Sequence, residues 1–257
     1  GAYSQVRSEM QRAGRFDYEQ NYLSHGYKEL TIPPADDGSW RLDDHESLHI
    51  WPRRDFMLIA LPNPDGSFTC TLFLPFEGPT SFDELETETD VEAFFSEHFP
   101  TARRHMSKLT DEFFDNPTGS MVTIRCSPYH HDNNVVLLGD AAHAIVPFYG
   151  QGMNASCEDC LIFDQLLDEF DDDWSRALPA FSQRRKPDAD AIADLALYNY
   201  VEMREHVADE NFLLRKTVER FLERSFPQIW RSLYSMVTFS TIPYAEARQR
   251  GIAQSKL

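Results

Sequence analysis

Lysine is scarce in this chain, with five among 257 residues, and its 24 basic side chains are set against 42 acidic ones. The formal charge of -18 makes nucleic acid a poor partner for this surface, because phosphates attract clustered cations. Long apolar runs are also missing. No stretch reaches the roughly 18 to 20 apolar residues that a membrane-crossing helix needs, and no signal-peptide pattern opens the chain, so no membrane segment is expected here. Cysteine is confined to Cys70, Cys126, Cys157 and Cys160, which fits a reducing compartment and a cytoplasmic location. Cys157 and Cys160 form a lone CxxC with no second pair and no histidine at ligand spacing. They read as two small helix residues, and no metal is expected. The strand-glycine-helix fingerprint GxGxxG is absent, as are internal repeats and low-complexity tracts. Ser255-Lys256-Leu257 match a peroxisomal address, but three residues are too short a match to identify one.

The most informative run that is present is GDAAHAIVPFYGQGMN, Gly139 to Asn154. It follows the apolar stretch Val135 to Leu138, flanked by His131-Asp132-Asn133-Asn134, which reads as a short buried parallel strand. Gly139 permits a sharp turn, Asp140 offers acceptor oxygens to a sugar-like hydroxyl, and Ala141 and Ala142 keep bulk away from a ligand lying close by. Gly150 and Gly152 lead into a helix that is amphipathic through Leu161, Ile162, Leu166 and Leu167. Its N-terminus, with free amides and the positive end of the helix dipole, points back at the same place.

This run resembles the second flavin-contacting motif of the FAD-dependent aromatic hydroxylases. VPFYGQGMNA is most similar to the kynurenine-hydroxylating branch of that family. GAYSQVR at Gly1 to Arg7 resembles the end of the family's GxDGAxSxVR motif. HGYKELTIPP (His25 to Pro34), LHIWPR (Leu48 to Arg53), SFTCTLFLPFE (Ser67 to Glu77), YNYVEMR (Tyr198 to Arg204) and MVTFS (Met236 to Ser240) extend the resemblance over nearly the whole chain. It implies the C-terminal part of a longer, two-domain protein, with most of the dinucleotide-binding unit lying upstream of Gly1.

Local patterns give an α/β (α+β) organisation. Strands are expected at Tyr22 to Ile32, Leu48 to Trp51, Phe56 to Leu61, Phe68 to Leu74 and Met121 to Cys126. Asn63-Pro64-Asp65-Gly66 presets a hairpin turn. Capping boxes at Ser81/Glu84 and Thr89/Glu92 start helices ending near Pro100. From Trp174 onward the chain is mostly helical, with Pro179 and Pro187 as helix starts or kinks, a long segment from Asp188 to His206, and a C-terminal region from Asp209 to Arg250. The resemblance organises these elements as a remnant of the FAD-binding domain at 1–20 and a substrate domain with a mixed sheet at 21–126. The FAD-domain strand and helix return at 127–207, and a helical region occupies 208–257.

The resemblance further implies that NADPH-reduced FAD and molecular oxygen hydroxylate L-kynurenine to 3-hydroxykynurenine, with no side chain as acid, base or nucleophile. Cofactor contacts fall on Gly139, Asp140, Gly150, Gln151, Gly152, Met153 and Asn154. Ile59, Leu61 and Phe73 match apolar residues of the aromatic pocket, Pro147 and Phe148 match those between substrate and flavin, and Asn199 and Tyr234 match carboxylate ligands. Glu202 and Met203 are further candidates on the helix of Asn199, and His143 is a structural neighbour of the flavin chain rather than a base. The role of Tyr149 stays open. By pattern alone, Ile59, Leu61 and Phe73 suit core, Asn199 a solvated or capping position, and Tyr234 an amphipathic core position. Two alternatives stand beside this reading: a related flavin hydroxylase of another aromatic acid, and a truncated chain without FAD or activity.

Overall fold

The computed structural model describes residues 1–205 and 210–255. The expected helix boundaries at His206 and Asp209, and Lys256 and Leu257 of the terminal tripeptide, lie outside the described residues. The chain divides into two compact units. One comprises Gly1–Tyr22, Val122–Tyr200 and Glu210–Leu257; the other comprises Leu23–Met121 and Val201–Asp209.

A five-stranded sheet has the order β2-β3-β4-β1-β5, with β1 at Asp17–Ile32, β2 at His49–Pro52, β3 at Met57–Pro62, β4 at Phe68–Pro75 and β5 at Gly119–Ser127. The β2–β3, β3–β4 and β4–β1 ladders are antiparallel. The hairpin between β3 and β4 turns where the sequence predicts. Asn63 N donates to Ser67 O, Gly66 takes φ +87°, and Asp65 Oδ1 accepts from Ser67 N. Gly66 is required there, because a Cβ would stand 2.4 Å from Gly38 O.

Alternation separates two faces of this sheet. Leu30, Ile32, Leu58, Ala60, Phe68, Cys70, Leu72 and Leu74 form one core with Val91 and Phe95 of α2 (Glu88–His98), Phe99, and Leu109 and Phe113 of α4 (Leu109–Asp115). Between them runs the short α3, Pro100–Arg103. Met57 pairs with Phe73, Ile59 with Thr71 and Leu61 with Thr69, so these six side chains occupy the opposite face. Ile59, Leu61 and Phe73 therefore do share a face, and it is not that of the main core.

The capping boxes fall elsewhere than expected. α2 starts at Thr87, whose Oγ1 accepts from Asp90 N while Asp90 Oδ2 accepts from Thr87 N. Thr89 is already helical, and starting at Thr87 sets Glu88 and Asp90 in the first turn, where the helix dipole favours them. Ser81 opens only a 3₁₀ turn, Phe82–Glu84, without a side-chain cap.

The other unit begins with α1, Gln5–Ala13, capped by Ser4. Two strands of two residues, β6 (His130–His131) and β7 (Val135–Val136), pair antiparallel. This corrects the expected parallel strand at Val135 to Leu138: among the described residues the run's ladder partner is the neighbouring β6, so it closes as a hairpin. α5 (Asp140–His143), a 3₁₀ turn at Pro147–Tyr149, α6 (Gly152–Glu169) and α7 (Trp174–Glu205) follow. Pro179 and Pro187 both lie inside α7 rather than starting helices. Ile162, Phe163, Leu166 and Leu167 carry the apolar stripe of α6, whereas Leu161 is 57% exposed, a correction to its expected core position. The segment ends in α8 (Glu210–Ser225), α9 (Leu233–Thr238) and α10 (Tyr244–Gln254), and α9 and α10 pack with Ile192 and Leu195 of α7.

Candidate cofactor and substrate site

The Gly-Asp turn is held from several sides. Gly139 adopts φ 57° and ψ -141°, a region that essentially only glycine occupies, and a Cβ there would meet Ser156 Oγ of α6 at 2.6 Å. The turn thus lies directly against the N-terminal half of α6. Arg7 Nη1 donates to Ala141 O at 2.8 Å, Cys126 Sγ to Ala142 O at 3.2 Å, and Ile124 N to Ala144 O at 2.9 Å. Asp140 itself is exposed. Its carboxylate is free to accept from a ligand's hydroxyl groups.

Gly150 takes a left-handed conformation just before α6, and no side chain caps the helix. Gln151 is buried with its side chain turned inward: Oε1 accepts from Tyr244 Oη at 3.0 Å and from Asn154 Nδ2 at 3.2 Å. First-turn amides are consequently left for an anion or a carbonyl edge, while the Gln151 side chain is committed to Tyr244 and Asn154. A Cβ at Gly150 meets nothing within 4 Å and one at Gly152 meets only Ile145 at 3.9 Å, so the space before the helix is open. Met153 is 76% exposed. An exposed carboxylate on a turn packed against α6, with the helix start uncapped, fits a flavin's ribityl chain and pyrimidine edge.

Beneath the turn is a charged cluster that sequence reasoning missed. Asp159 of α6 and Arg185 of α7 are both fully buried. Asp159 Oδ1 accepts from Arg185 Nε at 2.7 Å, while Oδ2 accepts from Gly139 N at 2.8 Å and from His143 Nε2 at 2.6 Å. Burial pushes the Asp159 carboxyl up, but the His143, Gly139 and Arg185 donors outweigh it and hold the group below the usual carboxylate range. An ionised carboxylate only accepts, so His143 carries its proton on Nε2. Arg185 also faces Glu158 Oε2 at 3.1 Å and Asp188 Oδ2 at 3.7 Å. Burial lowers its proton affinity, and the surrounding carboxylates more than restore it. His143 is thereby tied to Asp159 of α6. The missing signal was spatial: Asp159 and Arg185 are 26 positions apart.

Of the expected substrate residues, Phe148 is buried and stacks on Tyr200 with ring centroids 4.4 Å apart. Asn199 is buried and uses one amide hydrogen on Phe148 O at 2.7 Å, so it ties the Pro147–Tyr149 turn to α7. Tyr234 is 48% exposed and stacks on the buried ring of Tyr149 at 5.9 Å. Tyr149 therefore belongs to the aromatic group around Tyr234. In the sheet unit, Ile59 and Phe73 are buried and Leu61 is 45% exposed. Met203 is buried and Glu202 partly so.

The FAD binding domain family matches residues 63–196, more than half of the chain. The chain belongs to that family, and its cofactor is FAD. Its relatives are more specific. It is 52% identical over its full length to a kynurenine 3-monooxygenase of Flavobacterium psychrophilum and 50% identical to one of Sus scrofa, spanning 57% and 54% of their respective lengths. The chain thus spans little more than half of the curated relatives it matches. Among solved structures, a variant of 2-methyl-3-hydroxypyridine-5-carboxylic acid oxygenase shares the fold with a TM-score of 0.57 at 18% identity, over 93% of this chain and 55% of that one. A tetracycline destructase does so with a TM-score of 0.56 at 16% identity, over 94% and 61%.

Proposed function

We propose that the protein to which this chain belongs hydroxylates L-kynurenine to 3-hydroxykynurenine, using NADPH and molecular oxygen. The observation that carries this reading is identity of 52% to a kynurenine 3-monooxygenase along the entire chain. It includes β1, β2 and β3 and the C-terminal helices α8, α9 and α10, which lie beyond the FAD binding domain match. FAD, when bound, supplies oxygen activation after reduction by NADPH. The chain's own residues bind, orient and exclude water. Asp140 holds the ribityl chain, and the first-turn amides of α6 face the flavin ring. Ile59, Leu61 and Phe73 give apolar contacts to the substrate ring, as do Pro147 and Phe148, while Asn199 and Tyr234 hold the substrate carboxylate. Orientation of this kind is worth several orders of magnitude in rate, which explains a site without acid or base. The reading places the protein in the cytoplasm, consistent with Cys70, Cys126, Cys157 and Cys160 remaining thiols. Among the described residues no helix is long and apolar enough to cross a membrane.

The test is kynurenine-dependent NADPH oxidation by the intact protein, with products read by mass spectrometry. A hydroxylated kynurenine is expected. Its absence while FAD is bound refutes the substrate assignment.

A further inference from the structure

Asp159 contacts three parts of the molecule with two oxygens. One oxygen accepts from Gly139 N and His143 Nε2, at the beginning and end of the Gly139–His143 turn, and the other accepts from Arg185 Nε. Side-chain exposure is 0% for both Asp159 and Arg185 and 3% for His143. A buried ion pair is a poor device for stability alone, because its desolvation offsets most of the attraction. Its value lies in direction: the carboxylate fixes where the two donors sit, and Asp140 lies between them. Arg185 is fixed in turn, since Nη2 faces Ala155 O at 3.4 Å and Glu158 at 3.1 Å. On the opposite side, Asp188 Oδ1 accepts from Ala245 N of α10 at 2.9 Å.

We propose that Asp159, held by Arg185, is a positioning residue for FAD: it sets the Gly139–His143 turn so that the Asp140 carboxylate is presented to the cofactor. This rests on the reading of Asp140 as an FAD ligand. Asparagine at position 159 is a sharp probe. Arg185 has only donors, so the amide oxygen must turn to it, and the amide NH2 then faces Gly139 N–H, leaving that donor without an acceptor. The turn loses its anchor although the side-chain volume is unchanged.

The experiment titrates FAD into the intact protein stripped of cofactor, following quenching of flavin fluorescence, for the parent, Asp159→Asn, Asp140→Ala and the double variant. Phe95→Leu, in the core of the sheet unit, reports the effect of lost stability alone. Asp159→Asn is expected to weaken FAD by about tenfold or more, roughly the loss of one charge-assisted hydrogen bond. In the Asp140→Ala background it should weaken FAD only about twofold, because there is no longer a carboxylate to position. A merely structural role gives the same factor in both backgrounds, or a loss matched by Phe95→Leu, and overturns the proposal. If Asp140→Ala leaves affinity unchanged, the reading of Asp140 fails instead. Should Asp159→Asn not fold, His143→Leu removes one donor from the same oxygen and leaves the ion pair in place. The same non-additivity with Asp140→Ala is then expected, and additivity overturns the proposal.

Discussion

Alanine at position 139 perturbs the turn in two separable ways. The backbone sits at φ 57° and ψ -141°, where a residue with a Cβ is strained by about 1 to 3 kcal/mol. The new methyl also stands 2.6 Å from Ser156 Oγ and 3.0 Å from Ser156 Cβ. To relieve the first contact, Ser156 must give up its 2.8 Å hydrogen bond to Gly152 O, at about 0.5 to 1.5 kcal/mol. Gly139→Ala is therefore expected to cost about 2 to 4 kcal/mol. The assay is urea unfolding of the cofactor-free protein, since bound FAD adds stability by mass action and masks the difference. Adding Ser156→Ala should recover the hydroxyl contact but not the dihedral strain. A loss below about 1 kcal/mol would falsify the conformational argument, and complete recovery in the double variant would leave only sterics.

Asp140→Ala should weaken FAD by about 1.5 to 3 kcal/mol, the worth of a hydrogen bond to a charged acceptor; equal dissociation constants would mean that Asp140 serves the turn alone. Tyr234→Phe keeps the ring stack on Tyr149 and should leave stability and FAD affinity unchanged while weakening kynurenine by about 1.5 to 3 kcal/mol. Calorimetry of that variant with Asn199→Ala should show non-additive losses if both serve one carboxylate; unchanged affinity in Tyr234→Phe removes the residue from the site. Because the Asp159 carboxyl is held below the usual range, its contribution to stability is complete above about pH 4. That contribution is lost as pH falls through the folded-state value. Urea midpoints of the cofactor-free protein should therefore drop on acidification below about pH 4, and Asp159→Asn should flatten that drop; parallel curves for the two proteins would contradict the assignment.

Sequence pattern revealed the parts of this fold that depend on local chemistry. The β3–β4 hairpin was legible because Asn63 to Gly66 dictate a turn and the flanking residues alternate. The helix after Gly152 is legible from its glycines, although periodicity alone does not show that Leu161 lies one position off the apolar stripe. The hairpin at Val135 is not legible, because an apolar run of four does not disclose its ladder partner. Pro179 and Pro187 are expected as helix starts or kinks, and α7 continues through both, since packing of Ala177, Phe181 and Ala189 outweighs the lost backbone bonds. Asp140, Gly139, Gly150 and Gly152 fall within the single run Gly139 to Asn154 and so stand out in the sequence. The Asp159–Arg185–His143 cluster was invisible because each member is an ordinary polar residue in its own helix, and only the fold brings them together.

The alternation of the β3 and β4 side chains has an evolutionary consequence. Leu58, Ala60, Cys70 and Leu72 on one side keep the unit folded, and Ile59, Leu61, Thr69, Thr71 and Phe73 are interleaved with them one residue apart. The two sets thus share a single stretch of chain without sharing positions. With Ile59, Leu61 and Phe73 contacting the substrate ring as proposed, substitutions at the second set would alter the shape offered to an aromatic ligand and leave the core of Leu58, Ala60, Cys70 and Leu72 unchanged. A library varied only there would explore new ring substituents, whereas a one-residue insertion in either strand exchanges the two sets and disrupts both at once.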